Sequence, residues 1–368
     1  MVTAVRKFGT PVALPKRQMK TKSQNRSVEI DGSIGEGGGQ ILRSSLSLSA
    51  ITGTPFRLIN IRAGRKKPGL MRQHLTCVRA AAEICDAETT GAEIGSTELS
   101  FSPGAIRSSG AAFAVGTAGS VHLVFQTVLP ILAHAPGASE ITIAGGTHVI
   151  QAPCFEFIDE VFLPALRQLG LRAEVELERV GFFPAGGGII RATVEPSSFS
   201  PFSFDGKQGK DVELSAEIAS TAEIPDTVEK KEIRRVVSAL GLDRDQIWTR
   251  AIGDSISPGN AVILRAAGPG VFPGTLTAAY AERGKPADRV AREAVWTMQR
   301  FLNSSAPVDE FLADQLLLPL ALAGGGGYTT NALTPHFHSN VKTIRSFLPV
   351  KITTEQIDRL AYKVEVTH

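Results

Sequence analysis

From Val28 onward, short runs of β-branched and aliphatic residues alternate with longer stretches whose apolar positions recur every three to four residues, the pattern of mixed α/β layers. Residues 28–30 predict a strand that leads into a glycine loop. A helix over about 40–50, closed by Gly53, and a strand over 56–61 follow. A second helix over about 70–85 precedes a strand-like run at 98–101 and a turn at Pro103-Gly104, so the first unit reads β-α-β-α-β. The order recurs with a helix over 120–133, a strand over 140–144, a helix over 155–169 and a hairpin-like pair, 172–180 and 189–194, around Pro184-Ala185-Gly186-Gly187-Gly188. It recurs again late in the chain, with a helix over 313–323, a strand over 328–333 and a helix over 339–347 before Pro349. These are read as three structural repeats with weak self-similarity in sequence. Residues 200–210 form a junction. After it, strands over 212–218, 261–265 and 276–282 and helices over 230–240 and 288–302 predict an inserted α/β domain. The expected organisation is a leader over 1–27, a repeat domain over 28–205 and 306–368, and an insertion over 206–305.

A chain of 368 residues with 43% apolar content can bury a substantial core, in two domains or one large one. No apolar run of roughly 18 residues could span a bilayer, and the first residues lack a secretory signal's apolar stretch. A soluble, cytoplasmic protein is expected. Cys77, Cys85 and Cys154 are odd in number and form no C-x-x-C pair, which argues against a disulfide framework or a cysteine zinc site. The net charge of +3 conceals an asymmetry, because residues 1–28 carry seven Lys or Arg and no acid. Taking those seven from the 39 bases leaves 32 against 36 acids, so a slightly acidic body must meet any polyanion with a local patch. The basic leader itself reads as a disordered, solvated extension.

Three segments carry chemistry. The run Gly35-Glu36-Gly37-Gly38-Gly39-Gln40-Ile41-Leu42-Arg43 sets glycines directly before a helix, where backbone N–H groups and the helix dipole could meet phosphate. No G-K-[ST] follows, and the spacing is wrong for a dinucleotide fingerprint. Glu36 within the loop, with Arg43 one turn beyond Gly39, suggests a metal-bridged nucleotide. The second segment, residues 61–74, concentrates Arg62, Arg65, Lys66, Lys67 and Arg72 at a strand-to-helix turn. Guanidinium forks at Arg62, Arg65 and Arg72, with Gln73 beside them, could hold phosphate oxygens, whereas Lys66 and Lys67 read as a solvated face. The third, His336-Phe337-His338-Ser339-Asn340, precedes a helix that Ser339 or Asn340 could cap, which places His336 at its positive end. A zinc reading of H-x-H lacks further ligands at suitable spacing.

Taken in order, DGSIGEGGGQILRSSLSLS, NIRAGRKKPGLMRQHL, VFQTVLP, EFLADQLLLPLALAG and PHFHSNVKTIRSFLPV resemble the RNA 3′-terminal phosphate cyclase family over the chain from about Ile30 to its end. The resemblance implies an α/β fold of the α+β type: three βαβαββ units in a catalytic domain, with a smaller inserted α/β domain. It also implies a covalent nucleophile at His336 and a metal-proximal carboxylate at Glu36. Arg43, Arg62, Arg65, Gln73 and Gln126 fall around ATP and the RNA end, Asp314 near the histidine, and Pro153 at an adenine contact. Phe311 stands where the family commonly has a stacking tyrosine, which keeps the ring face and loses the hydroxyl. Ser339 stands where threonine is usual, and His338 where an aliphatic residue is tolerated.

The implied activity is ATP-dependent closure of an RNA 3′-phosphate to a 2′,3′-cyclic phosphodiester, through a histidine-bound AMP and an RNA(3′)pp(5′)A end, with Mg or Mn as divalent metal. A rival is a non-catalytic relative of the kind that serves ribosome assembly, to which His336 would be useless. Another is a small-molecule transferase on a related repeat fold, which would form no covalent nucleotide. The expected partners are RNA with a 3′-phosphate end and ATP, with no membrane; homodimerisation stays open.

Overall fold

A computed structural model describes residues 27–35, 37–204, 206–209 and 211–368. The expected leader over 1–27 lies outside the described residues except for its last position. The first unit runs β1 (Val28–Asp31), α1 (Gln40–Thr52), β2 (Phe56–Ile59), α2 (Arg72–Cys85), β3 (Glu88–Thr90) and β4 (Leu99–Ser102). The second runs β5 (Ala112–Ala114), α3 (Val121–Ala133), β6 (Ser139–Gly145), α4 (Phe155–Phe157), a π turn over Ile158–Phe162, α5 (Leu163–Gln168), β7 (Ala173–Arg179) and β8 (Gly188–Val194). The third opens with β9 (Phe202–Phe204), inside the expected junction. It is then interrupted by β10 (Glu213–Thr221), α6 (Asp226–Leu240), β11 (Ile247–Ile252), β12 (Asn260–Gly268), β13 (Val271–Tyr280) and α7 (Ala287–Leu302). It resumes with α8 (Glu310–Leu322), β14 (Gly326–Thr330), α9 (Pro335–Phe347), β15 (Lys351–Asp358) and β16 (Ala361–Thr367).

The three units share one topology. Their sheets have the orders β1-β2-β4-β3, β5-β6-β8-β7 and β9-β14-β16-β15. In each, the first pair is parallel and the other two pairs are antiparallel. This is the mixed α/β fold that the alternating pattern predicts, and the βαβαββ order holds in all three units.

The first helix of each unit, α1, α3 and α8, is apolar or small on nearly every side because it lies between other helices instead of at the surface. In α1 the buried serines allow that close packing. Ser45 Oγ returns its hydrogen bond to Ile41 O at 2.7 Å, and Ser47 Oγ donates to Thr127 O of α3 at 2.7 Å. The sheet of the insertion, β11-β10-β12-β13, is covered on both faces. Along β12, Val262, Leu264 and Ala266 pack with α6 and α7, while the alternate Ala261 and Ile263 join the core of the three units. Arg265 binds Glu160 at 2.6 Å and Glu217 at 2.9 Å, and Arg250 binds Glu156 at 2.5 Å, so ion pairs cross this seam as well.

Candidate active site

The helix that carries His336 starts earlier than expected. Thr334 is its N-cap, with Oγ1 accepting the Phe337 N–H at 3.1 Å, and Pro335 fills the first helical position. Ser339 and Asn340, the caps expected from sequence, therefore sit a full turn inside α9. A proline whose missing N–H costs nothing at that position outcompetes them. The histidine segment is thus helical and not extended, so His336 and His338 diverge by about 200° around the axis. His336 is half-buried, Phe337 enters the core and His338 is exposed.

Side-chain hydrogen bonds fix this helix against α8 of its own unit and α1 of the first unit. Asn340 Nδ2 donates to Asp314 O on α8 at 2.8 Å, and Asn340 Oδ1 accepts from Ser44 Oγ on α1 at 2.6 Å. The glycine loop closes over its first turn. A Cβ on Gly35, whose φ is +68°, would lie 2.2 Å from Ser339 Oγ. One on Gly39, the N-cap of α1, would lie 2.5 Å from His74 Nε2 and 2.9 Å from Arg43 Nη1. The left-handed φ at Gly35 favours glycine there, whereas a side chain at Gly39 would displace the ends of His74 and Arg43. Glu36, expected near a metal and triphosphate, lies outside the described residues. Among the described residues no group of three His, Cys, Asp or Glu side chains could hold a metal ion.

His336 is pushed down to about 4, first by burial and then by the positive charges of Arg43 and Arg65. Its imidazole is therefore neutral at pH 7. Asp314 is buried and pushed up to about 7 by desolvation, with Arg43 and a hydrogen bond from Thr334 opposing the shift. The aspartate thus acts on the cap of α9 and on Arg43, which itself feels Asp314 as a favourable charge against its own burial. Arg43 Nη2 also donates to Gln40 Oε1 at 2.5 Å.

The other expected residues divide by what they touch. Arg62, at φ 55°, folds the basic turn by donating from Nη1 to Lys67 O at 2.7 Å and Gly69 O at 3.0 Å. Lys66 and Lys67 are exposed. Gln73 Oε1 accepts the Ser120 N–H at 2.7 Å, at the N-cap of α3. Gln126 donates to Gln315 Oε1, and Gln315 donates to Phe311 O at 2.7 Å. Phe311 is 46% exposed in the first turn of α8, one turn before Asp314. Arg43, Gln126 and Gln315 line the polar part of a cavity of about 60 Å³, whose apolar part includes Phe162, Leu166 and Leu318. Pro153 stands in the loop before α4, and among the described contacts none ties it to this cluster. His336, Arg43, Arg65 and Asp314 are the residues brought together.

Sequence reasoning overlooked Thr334, Gln315 and His74, and it read Asn340 as a possible cap instead of the bridge between α1 and α8. Thr334-Pro335 was a legible helix start. His74 is buried, accepts the Met71 N–H at Nδ1 (3.2 Å), and is pushed down to about 3 by burial and the charges of Arg43 and Arg62.

A neutral imidazole flanked by two guanidinium groups suits attack on an anionic electrophile. Residues 34–354 match the family described as RNA 3′-terminal phosphate cyclase. A protein of that name from Pseudomonas fluorescens is 45% identical over 339 residues, covering 92% of this chain and 97% of its own. One from Salmonella enteritidis is 43% identical over 342 residues, covering 93% and 99%. Among solved structures, the enolpyruvyl transferase NikO from Streptomyces tendae aligns with a TM-score of 0.25 at 16% identity, covering 45% of this chain and 33% of its own, which is too distant to bear on the site.

Proposed function

The chain belongs to the RNA 3′-terminal phosphate cyclase family, and on that premise we propose that it uses ATP to convert an RNA 3′-phosphate end into a 2′,3′-cyclic phosphodiester. A phosphate monoester cannot readily close onto its own 2′-hydroxyl because oxide is a poor leaving group. In the first step a ring nitrogen of neutral His336 attacks the α-phosphorus of ATP, a P–N bond forms, and pyrophosphate leaves. Arg43 and Arg65, the cations that act with burial to keep the imidazole neutral, stabilise the charge that develops at phosphorus. In the second step an RNA 3′-phosphate oxygen takes AMP, the P–N bond breaks, and His336 returns to its neutral form. In the third the vicinal 2′-oxygen attacks the activated phosphorus and AMP departs. That closure is effectively intramolecular, which can offset about 7 kcal/mol or more of barrier.

Asp314 acts as a positioning residue, through Thr334 and Arg43, on the helix that presents His336. A divalent metal bound with the triphosphate would supply further charge neutralisation at the leaving pyrophosphate. The described side chains here are mainly cationic, so such an ion would rest on the nucleotide and on Glu36. ATP and RNA as substrates favour a cytoplasmic setting, and no described helix is long and apolar enough to cross a membrane.

The observation that carries this reading is His336, half-buried in the first turn of α9 and within electrostatic reach of Arg43 and Arg65. Incubation with α-labelled ATP and metal, followed by denaturing electrophoresis, should show a labelled protein whose label is lost in acid and kept in alkali, as a phosphoramidate requires. An acid-stable label, or none, would remove the covalent histidine mechanism.

A further inference from the structure

The insertion takes no part in the site described above, yet its second helix, α7, carries an unusual surface. Along α7, Arg289, Arg292, Trp296 and Arg300 recur at helical spacing, so they share one face. That face is open to solvent: Arg289 is 69% exposed, Arg292 62% and Trp296 58%. The Arg300 guanidinium stacks 4.7 Å from the centroid of the Trp296 ring. On the neighbouring α6, which packs against α7, Lys230 and Arg234 are exposed one turn apart. On α7 itself Arg289, Arg292 and Arg300 set cations on both sides of the exposed Trp296 ring, with Glu293 and Asp288 as their exposed partners. An exposed tryptophan offers a π-face to any base, and arginines offer charge to the backbone beside it.

The stripe also has a direction. Arg300, at its C-terminal end, binds Glu310 Oε1 at 2.9 Å, and Glu310 is the first residue of α8, which carries Asp314. Asn331, on the connection leading to α9, donates to the same carboxylate of Glu310. From Arg289 to Arg300 the face extends about 17 Å along the helix and ends one ion pair from the elements that hold His336. The pairs of Arg289 with Glu293 and of Arg292 with Asp288 are exposed, and such pairs hold their partners weakly enough to exchange for phosphate.

We infer that the exposed face of α7 holds the single-stranded RNA segment lying 5′ of the reacting end, with Trp296 stacking on a base and Arg289 and Arg292 meeting phosphates. This rests on the cyclase reading of the site, and it makes the insertion a substrate-holding module. RNA length beyond the last few nucleotides then contributes to affinity and not to chemistry.

The test compares 3′-phosphorylated single strands of three nucleotides and of roughly 15 nucleotides, near the upper range of single-strand binding sites. The proteins are wild type, Trp296→Ala, and the double variant Arg289→Gln with Arg292→Gln. AMP labelling without RNA should be equal in all three, which also shows that the variants are folded. For the longer RNA, KM should rise about tenfold in Trp296→Ala with kcat unchanged, a loss in the range of one stacked base. In the double variant the slope of log affinity against log salt should fall by about 1.4, two single-strand phosphate contacts. The trinucleotide should be processed alike by all three. Unchanged KM and salt slope for the longer RNA would overturn the inference, as would equal losses on both lengths. A wild-type protein that forms no AMP adduct would instead remove the cyclase reading on which it rests.

Discussion

The charge state of His336 yields a prediction that ordinary histidine catalysis would not share. An imidazole at its usual value of about 6.5 would be roughly nine-tenths protonated at pH 5.5, so a step needing the neutral ring should slow about tenfold between pH 8 and pH 5.5. Held at about 4 by burial and by Arg43 and Arg65, His336 would lose only a few per cent of its neutral form over that interval. The rate of AMP labelling, measured in single turnovers with saturating metal and ATP and quenched in alkaline detergent to protect the P–N bond, should therefore be nearly flat from pH 8 to 5.5. Asp314 titrates in the same range, at about 7, and could impose its own inflection through Thr334 and Arg43. Asp314→Asn removes that group while keeping its shape, so any inflection near 7 should vanish in this variant. Arg65→Ala removes one of the two neighbouring cations and should move the acid limb upward. A midpoint near 6.5 that persists in Asp314→Asn would refute the electrostatic account of the site.

His336→Ala should abolish the AMP adduct while remaining folded by circular dichroism, and His338→Ala should keep it, because the two rings point to different sides of α9; labelling that survives the first and is lost in the second would reverse the assignment. Arg65→Ala should slow labelling strongly at matched salt and Lys66→Ala or Lys67→Ala should not, whereas Arg62→Ala should show first in thermal unfolding, since it removes two hydrogen bonds to backbone carbonyls worth on the order of 1 kcal/mol. Away from the site, Glu232 is buried with one oxygen accepting from Asn260 and is pushed up to about 7 by desolvation. The preference of the fold for its protonated form is present below pH 4 and lost as pH rises through 7, so Glu232→Gln should stabilise by about 1–3 kcal/mol at pH 8 and little at pH 5. A melting-temperature difference independent of pH would contradict this.

How much could be read from sequence depended on how each element is buried. The amphipathic α2 and the glycine-bounded α1 were legible, because one periodicity and two stop signals agreed there. The two C-terminal strands were missed: β15 buries only Ile352 along its length, so its alternation never emerges. The three-residue β9 was read as junction, because what makes it a strand is pairing with β14, some 120 residues later. The repeat was weak in sequence yet not absent. Gln126-x-x-x-Pro130 in α3 and Gln315-x-x-x-Pro319 in α8 occupy equivalent helical positions, and the two glutamines meet across the cavity. Motifs located His336, Arg43, Arg65 and Asp314 individually. The proximity of Arg43 to His336, across nearly 300 residues, comes from the packing of α1 on α9 and from nothing local.

That packing also bears on why His336 and not His74 is the proposed nucleophile. Repetition gives the first and third units corresponding second helices, α2 and α9, and each brings a histidine within its first turn, His74 and His336. Both lie against Arg43, and both are held neutral by it and by burial. Their surroundings differ in burial and in what crowds the ring. His74 has Nδ1 engaged by the Met71 N–H, which leaves its proton on Nε2, and that nitrogen is pressed against Gly39. It can neither present a lone pair nor admit a phosphorus atom. His336 is only half-buried at the edge of the same cationic cluster, so it alone of the two combines a neutral ring with an approach for an anionic substrate. The second unit opens its corresponding helix with Phe155 after Cys154 and contributes no histidine there. One fold element used three times thus yields one buried polar support, one apolar end and one half-buried histidine, the proposed nucleophile.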